Sequence, residues 1–224
     1  MSLYSKINEC KPSLVMIHIP KTAGTSLMRA LHRNRYTTVR PYPKYSLLNI
    51  IRKSKGIDLP ALHAKANDFK VVMGERVWED IFSFAFVRNP WDLMVSSYFW
   101  WLQIAPASRK ERVRKQAEEI RLLGSFSAFI NSVYGQNMIN DRWGNLVDWI
   151  ADEQGQIIVK FVGRFENLEV DWQHICKVLD FNDSKLSHRN QSKHRDYQSY
   201  YTDQTRKLIE HRFEWAIQEF QYKF

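Results

Sequence analysis

The chain has 224 residues, 44% of them hydrophobic and 14% aromatic, which suits one α/β domain with a substantial core and is too apolar for disorder. Lys plus Arg outnumber Asp plus Glu by 33 to 24, and the resulting net charge of +9 favours acidic ligands. No zinc spacing, RNP motif or basic zipper assigns that charge to nucleic acid; no apolar run reaches membrane-span length; and Cys10 and Cys176, far apart, read as ordinary thiols.

The first predicted element is a buried parallel strand over Leu14–Ile19, too short for a signal-peptide core, so the expectation is a soluble, cytoplasmic protein. Small residues Thr22, Ala23 and Gly24 then turn the chain, and a helical pattern starts at Leu27. A strand that turns through small residues into a helix N-terminus aims backbone N–H groups at one point, where the macrodipole adds positive potential. Lys21 supplies a full charge, and Thr25 and Ser26 supply hydroxyls, so Lys21 to Ser26 reads as an oxyanion cradle. It is not a nucleotide P-loop of the Walker type: Lys21 precedes Gly24, no Lys follows it, and no acidic metal partner is evident, so no metal is expected.

Farther along, Tyr36–Arg40 suggests a short strand and Tyr45–Arg52 a helix. Ser83–Arg88 reads as a second buried strand, ending in Arg88-Asn89-Pro90-Trp91-Asp92 with Pro90 in a first helical turn. Arg88, as a planar fork, and Ser96, two turns into that helix, form a candidate second anion site. Helices are predicted over 91–103, 107–122 and 125–134, a loop over 135–145, and a strand pair over 146–151 and 156–162. Asn167 is a candidate N-cap for a helix to Leu179, and Thr202–Phe220 carries one long amphipathic pattern that would pack on the sheet.

At these motifs the chain resembles a known family. His18-Ile19-Pro20-Lys21-Thr22-Ala23-Gly24-Thr25-Ser26 is similar to the 5′-phosphosulfate loop of Golgi-type and bacterial carbohydrate sulfotransferases. Phe86-Val87-Arg88-Asn89-Pro90-Trp91-Asp92 with Ser96-Ser97-Tyr98 resembles their 3′-phosphate motif, and the likeness continues through Gly163–Leu168 and Asn190-Gln191-Ser192 with Tyr197 and Tyr200-Tyr201. It runs from residue 14 to the C-terminus in the family's order, and implies a bacterial-type enzyme. Phe220-Gln221-Tyr222 departs from the pattern, with Gln where relatives commonly have Gly.

The resemblance implies an α/β, P-loop NTPase-like three-layer fold, with a central parallel sheet flanked by helices in a single domain over 1–224. It implies 3′-phosphoadenylyl sulfate (PAPS) as sulfuryl donor, 3′-phosphoadenosine 5′-phosphate as product, and a hydroxyl acceptor on a carbohydrate or glycolipid, acidic if the basic surface takes part. Lys21 to Ser26, Arg88 and Ser96 would hold the donor, with Arg189, Asn190 and Ser192 in a loop that closes over the nucleotide. Lys21 and His63 would be catalytic, His63 as the base. Imidazole titrates near pH 6.5, close to operating conditions. Glu166 is the alternative base; an ion pair is the blander reading of it, as a structural role is for His18.

Two further readings are a P-loop nucleotide kinase, which would bind ATP with magnesium, and a non-catalytic nucleotide-binding protein. The aromatics Trp91, Tyr98, Phe99, Trp100 and Trp101 read as core, with sugar stacking as the alternative. The basic run Arg109, Lys110, Arg112, Arg114 and Lys115 reads as a solvated helix face partnered by Glu111, Glu118 and Glu119, with an acidic polysaccharide as the alternative.

Overall fold

A computed structural model describes residues 14–34, 64–138, 146–187 and 193–224. Its sheet has three parallel strands in these residues: β1 (Leu14–Ile17), β2 (Phe82–Val87) and β3 (Phe161–Arg164), in the order β1-β2-β3. The register pairs Leu14 with Phe82 and Ile17 with Ala85, then Phe84 with Phe161 and Val87 with Arg164. Both faces of β1 and of most of β2 are buried, as their unbroken apolar runs require in a parallel sheet.

Alternation along the strands puts Leu14, Met16, Phe84 and Phe86 on one face. That face packs against Leu27, Ala30 and Leu31 of α1 (Gly24–Arg33) and Trp172, Ile175 and Cys176 of α9 (Leu168–Val178). β2 and β3 approach closely because Gly163 has no Cβ; one placed there would lie 2.5 Å from the Phe86 ring. Asn34, at the end of α1, exchanges bonds with the Asp183 backbone and so ties the helix to the chain after α9. Between β1 and β2 lie α2 (Ala66–Met73) and α3 (Glu75–Asp80).

After β2 come α4 (Pro90–Gln103), α5 (Glu111–Leu122), α6 (Phe126–Asn131) and α7 (Val133–Asn137). A short α8 (Val147–Ile150) precedes β3, and α10 (Asp203–Arg212) and α11 (Glu214–Glu219) complete the chain. The residues divide into two compact units, one of 1–87 with 147–187 and the other of 88–146 with 188–224. The first holds the sheet with α1 and α9. In the second, α4 buries Trp91, Leu93, Met94 and Tyr98, and Tyr98 meets Phe126 and Phe129 at 5.7 and 5.2 Å between ring centroids. Trp91 and Tyr98 are therefore core, as their helical spacing suggested.

The α/β fold with a parallel sheet flanked by helices is the expected one; several local expectations need correction. β1 stops at Ile17, because the Ile19 N–H turns back onto the Ile17 carbonyl at 3.1 Å. The strand pair over 146–151 and 156–162 is replaced by α8 and a single antiparallel bridge, Ala151 to Ile157. The Asp152 carboxylate accepts the N–H groups of Gln154 and Gln156, closing a turn too tight for a longer ladder. The predicted helix over 125–134 is divided at Ser132, whose hydroxyl caps α7 by accepting the Gly135 N–H. The long C-terminal helix is likewise divided, at Phe213. Asn167 sits at the N-cap of α9 without a side-chain cap bond; Asp171 accepts the Arg164 N–H instead.

Gln221 lies at φ 52°, the left-handed region that favours glycine. It closes α11 in a Schellman turn, the Tyr222 N–H reaching the Ile217 carbonyl at 3.0 Å. The departure from the family pattern therefore falls where the backbone asks for Gly. The expected elements over 36–40 and 45–52, His63, and residues 139–145 of the loop expected over 135–145 lie outside the described residues; the start of that loop is instead helical, because α7, capped by Ser132, runs on to Asn137. No helix among the described residues is long and apolar enough to cross a membrane.

Candidate functional site

The carboxyl ends of parallel strands are where α/β sheets take ligands. At the end of β1 the chain enters the segment read as an oxyanion cradle. Lys21 has φ 66° and Ala23 φ 65° and ψ 12°, both left-handed, while Thr22 between them is not. Alternating handedness in consecutive residues curls the backbone so that successive N–H groups face one concavity, the geometry of an anion nest. Two non-glycine residues in this conformation cost roughly 1–2 kcal/mol each. Strain of this kind collects at ligand-binding sites.

α1 begins directly from this turn. Its N-cap, Ala23, provides no side-chain cap, and its first turn holds no acidic residue. Nothing on the helix itself opposes an anion there. Thr22 is buried and donates its hydroxyl to the Ile19 carbonyl at 2.8 Å, which fixes the turn from inside and leaves only its backbone for a ligand. Ser26 is 4% exposed, and its hydroxyl has no protein partner among the described residues. Thr25 is exposed and Lys21 half-buried.

The reason for Gly24 is steric. A Cβ built on it would lie 2.2 Å from both Cδ2 and Nε2 of His18. The imidazole thus packs directly against the first residue of α1 and wedges the turn. The sequence assigned His18 a structural role; its partner only appears once the chain folds back.

The other candidate anion residues belong to the second unit. Arg88 follows β2, and its Nε donates to the Asp92 carboxylate at 2.8 Å, with side chains 8% and 17% exposed. This pair spans i to i+4 on the first turn of α4, so the carboxylate sets the direction of the guanidinium fork. The helix start is anchored around it. Asn89 caps α4 by accepting the Trp91 N–H and donates to the Lys223 carbonyl at 2.9 Å. Trp91 donates through Nε1 to the Arg206 carbonyl, and its own carbonyl accepts the Tyr201 hydroxyl at 2.8 Å. Burial pushes the Tyr201 phenol well above its usual range, so it stays a donor.

Ser96 is 3% exposed on the second turn of α4, beside Ser97, whose hydroxyl bonds the Leu93 carbonyl. Asp92, Asn89 and His18 were absent from the predicted binding residues, although all three lie within the two motifs that carry the resemblance, and Arg88 and Asp92 are spaced i,i+4. Glu166, the alternative base, stands exposed on a 3-10 turn after β3. His63, Arg189, Asn190 and Ser192 lie outside the described residues.

The donor set around the β1–α1 turn is one ammonium, two hydroxyls and a backbone nest, which matches a sulfonate or phosphate group. In comparison with known proteins, the model of the sulfotransferase family matches residues 7–223, nearly the whole chain. No curated protein and no solved structure matches the chain.

Proposed function

The chain belongs to the sulfotransferase family, and on that premise we propose that it moves the sulfuryl group of PAPS to a hydroxyl of a carbohydrate or glycolipid. PAPS is the donor that the family implies, and it supplies a sulfuryl group already attached to a phosphate leaving group. The observation that carries the reading is the strained β1–α1 turn, with left-handed Lys21 and Ala23, the uncapped start of α1 and the unengaged Ser26 hydroxyl. The family match runs through both units, which supports reading 1–224 as one sulfotransferase domain.

Lys21, Thr25, Ser26 and the backbone of Thr22 to Gly24 hold the 5′ end of the donor, and Arg88 and Ser96 the 3′-phosphate. Arg189, Asn190 and Ser192 contribute from their loop. In the reaction an acceptor oxygen forms a bond to sulfur as the bond from sulfur to the phosphate oxygen breaks. Lys21 offsets the negative charge that accumulates on the departing oxygen, and His63 takes the acceptor's proton. The protein's part is mainly to position groups and stabilise charge, as in phosphoryl transfer.

Calorimetric titration with 3′-phosphoadenosine 5′-phosphate, against ATP with magnesium, tests this. Metal-independent binding of the bisphosphate that is lost in Lys21→Ala and in Arg88→Ala supports the reading. Tight binding of ATP–magnesium with no bisphosphate heat overturns it in favour of a kinase. His63→Ala with unchanged turnover would remove the base assignment alone.

A further inference from the structure

Within the second unit, the start of α4 is fastened by residues from the far end of the chain. At Asn89 the backbone turns into the helix: φ −47° and ψ 120° are not helical, while the side chain already caps α4. The Asn89 amide donates to the Lys223 carbonyl at 2.9 Å, and the Tyr197 hydroxyl reaches the same carbonyl at 3.4 Å. Trp91 is held twice, its indole N–H by the Arg206 carbonyl and its own carbonyl by the Tyr201 hydroxyl.

Phe224 closes this cluster. The turn at Gln221 reverses the chain after α11, and Phe224 then lies half-buried against α4. Its ring meets Trp91 and Tyr201 edge-on, each at 5.5 Å between centroids, and Tyr197 at 5.9 Å. The Arg206 guanidinium stands over the same ring, 5.3 Å from its centroid. Perpendicular rings and a cation over the face are the arrangements that an aromatic quadrupole favours. The two tyrosines that bond around the start of α4 are therefore themselves held by Phe224.

Arg88 immediately precedes Asn89, and the Asp92 carboxylate that aims its guanidinium lies on the first turn of α4. Fork and carboxylate thus move with the helix start. A shift at Asn89 or Trp91 would re-aim the fork relative to the Ser96 hydroxyl, two turns along. Bidentate bonds from a planar guanidinium depend on alignment, and a misplacement of about 1 Å is enough to lose much of their yield.

We propose that Phe224 is a positioning residue for the 3′-phosphate. Through Tyr201, Trp91 and Asn89 it fixes the start of α4 so that Arg88 and Ser96 converge on that group, and it thereby sets the preference for a nucleotide carrying a 3′-phosphate. The proposal rests on the reading of Arg88 and Ser96 as the residues that hold this phosphate.

The test titrates the full chain with 3′-phosphoadenosine 5′-phosphate and with adenosine 5′-phosphate, which differ in the 3′-phosphate alone. Wild type should prefer the bisphosphate, and Arg88→Ala should remove most of that preference. Phe224→Ala should reduce it by about tenfold, through weaker bisphosphate binding with adenosine 5′-phosphate affinity unchanged. Phe224→Tyr, which keeps the ring, should restore it. Tyr201→Phe removes one hydroxyl and should reduce the preference in the same sense, by roughly threefold. Phe224→Leu keeps apolar bulk without the ring contacts, and gives the same reading where Phe224→Ala does not fold. A part in stability alone would weaken both nucleotides equally, by lowering the folded fraction. Equal weakening of the two, or a wild-type preference in the Phe224 variants that lack the ring, would overturn the proposal and leave the donor reading standing. Equal binding of both nucleotides by wild type, or an undiminished preference in Arg88→Ala, would refute the donor reading at Arg88 and this proposal with it.

Discussion

Gly24→Ala tests whether the wedge between His18 and α1 shapes the cradle. The new Cβ would start 2.2 Å from the imidazole Cδ2 and Nε2. The ring must retreat by roughly 1.3 Å or more to reach ordinary contact. Overpacking of this kind costs about 1–3 kcal/mol. Replacing Gly by Ala in a helix returns up to about 1 kcal/mol, so the net loss of stability should be about 0–2 kcal/mol. The loss of ligand affinity should be clearer, because the turn that the ring wedges carries the backbone N–H groups of the nest. The bisphosphate should bind at least about tenfold more weakly, equivalent to about 1.4 kcal/mol. The decisive assay is a double-mutant cycle with His18→Ala, read by urea unfolding and by bisphosphate titration. Removing the ring should rescue Gly24→Ala, with a coupling of about 1–3 kcal/mol. Wild-type stability and affinity in Gly24→Ala, or additive effects in the double variant, would refute the wedge.

Four other outcomes follow from particular contacts. Lys21→Gly should be about 1 kcal/mol more stable than Lys21→Ala in denaturant titration, because only Gly sits at φ 66° without strain, while both lose bisphosphate affinity. Gln221→Gly should raise stability by about 0.5–1 kcal/mol, the left-handed penalty less the extra freedom of Gly in the unfolded chain, visible as a higher Tm. Asp92→Ala removes the carboxylate from a largely buried Arg88 and should cost about 3 kcal/mol by urea unfolding. The fourth concerns Cys176, whose thiol burial pushes up to about 11 from 9.0. The unfolded thiol loses its proton first, so folding stability should fall as pH rises from about 9 to about 11, by up to roughly 1.4 kcal/mol per pH unit. Urea titrations across that range should show a shallower fall in Cys176→Ala.

The order strand, small-residue turn, helix was legible at Leu14 to Leu31, and again at Ser83 to Trp100, because buried parallel strands and helix starts leave local patterns. The apolar runs set the strands, Pro90 set the start of α4, and the residues of the cradle could be named from their chemistry. Elements whose signal depends on neighbours were misread. Leu146 to Ala151 has an apolar run short enough for a strand, yet it folds as a helical turn that buries Trp149 and Ile150. Ser132 looked like a tolerable residue inside a helix, but its hydroxyl serves as a cap and divides it.

What the sequence determined by itself is the inventory: a lysine ahead of a glycine at the end of an apolar strand, an arginine at the end of another, and a basic excess suited to acidic ligands. Only the tertiary structure decided how those groups are held. The left-handed turns at Lys21 and Ala23, the imidazole against Gly24 and the Asp92 partner of Arg88 all depend on which atoms meet after folding. Side-chain periodicity is a local property that survives in the order of residues. Backbone handedness and charge compensation are settled by packing, because each is a balance between local cost and distant contacts.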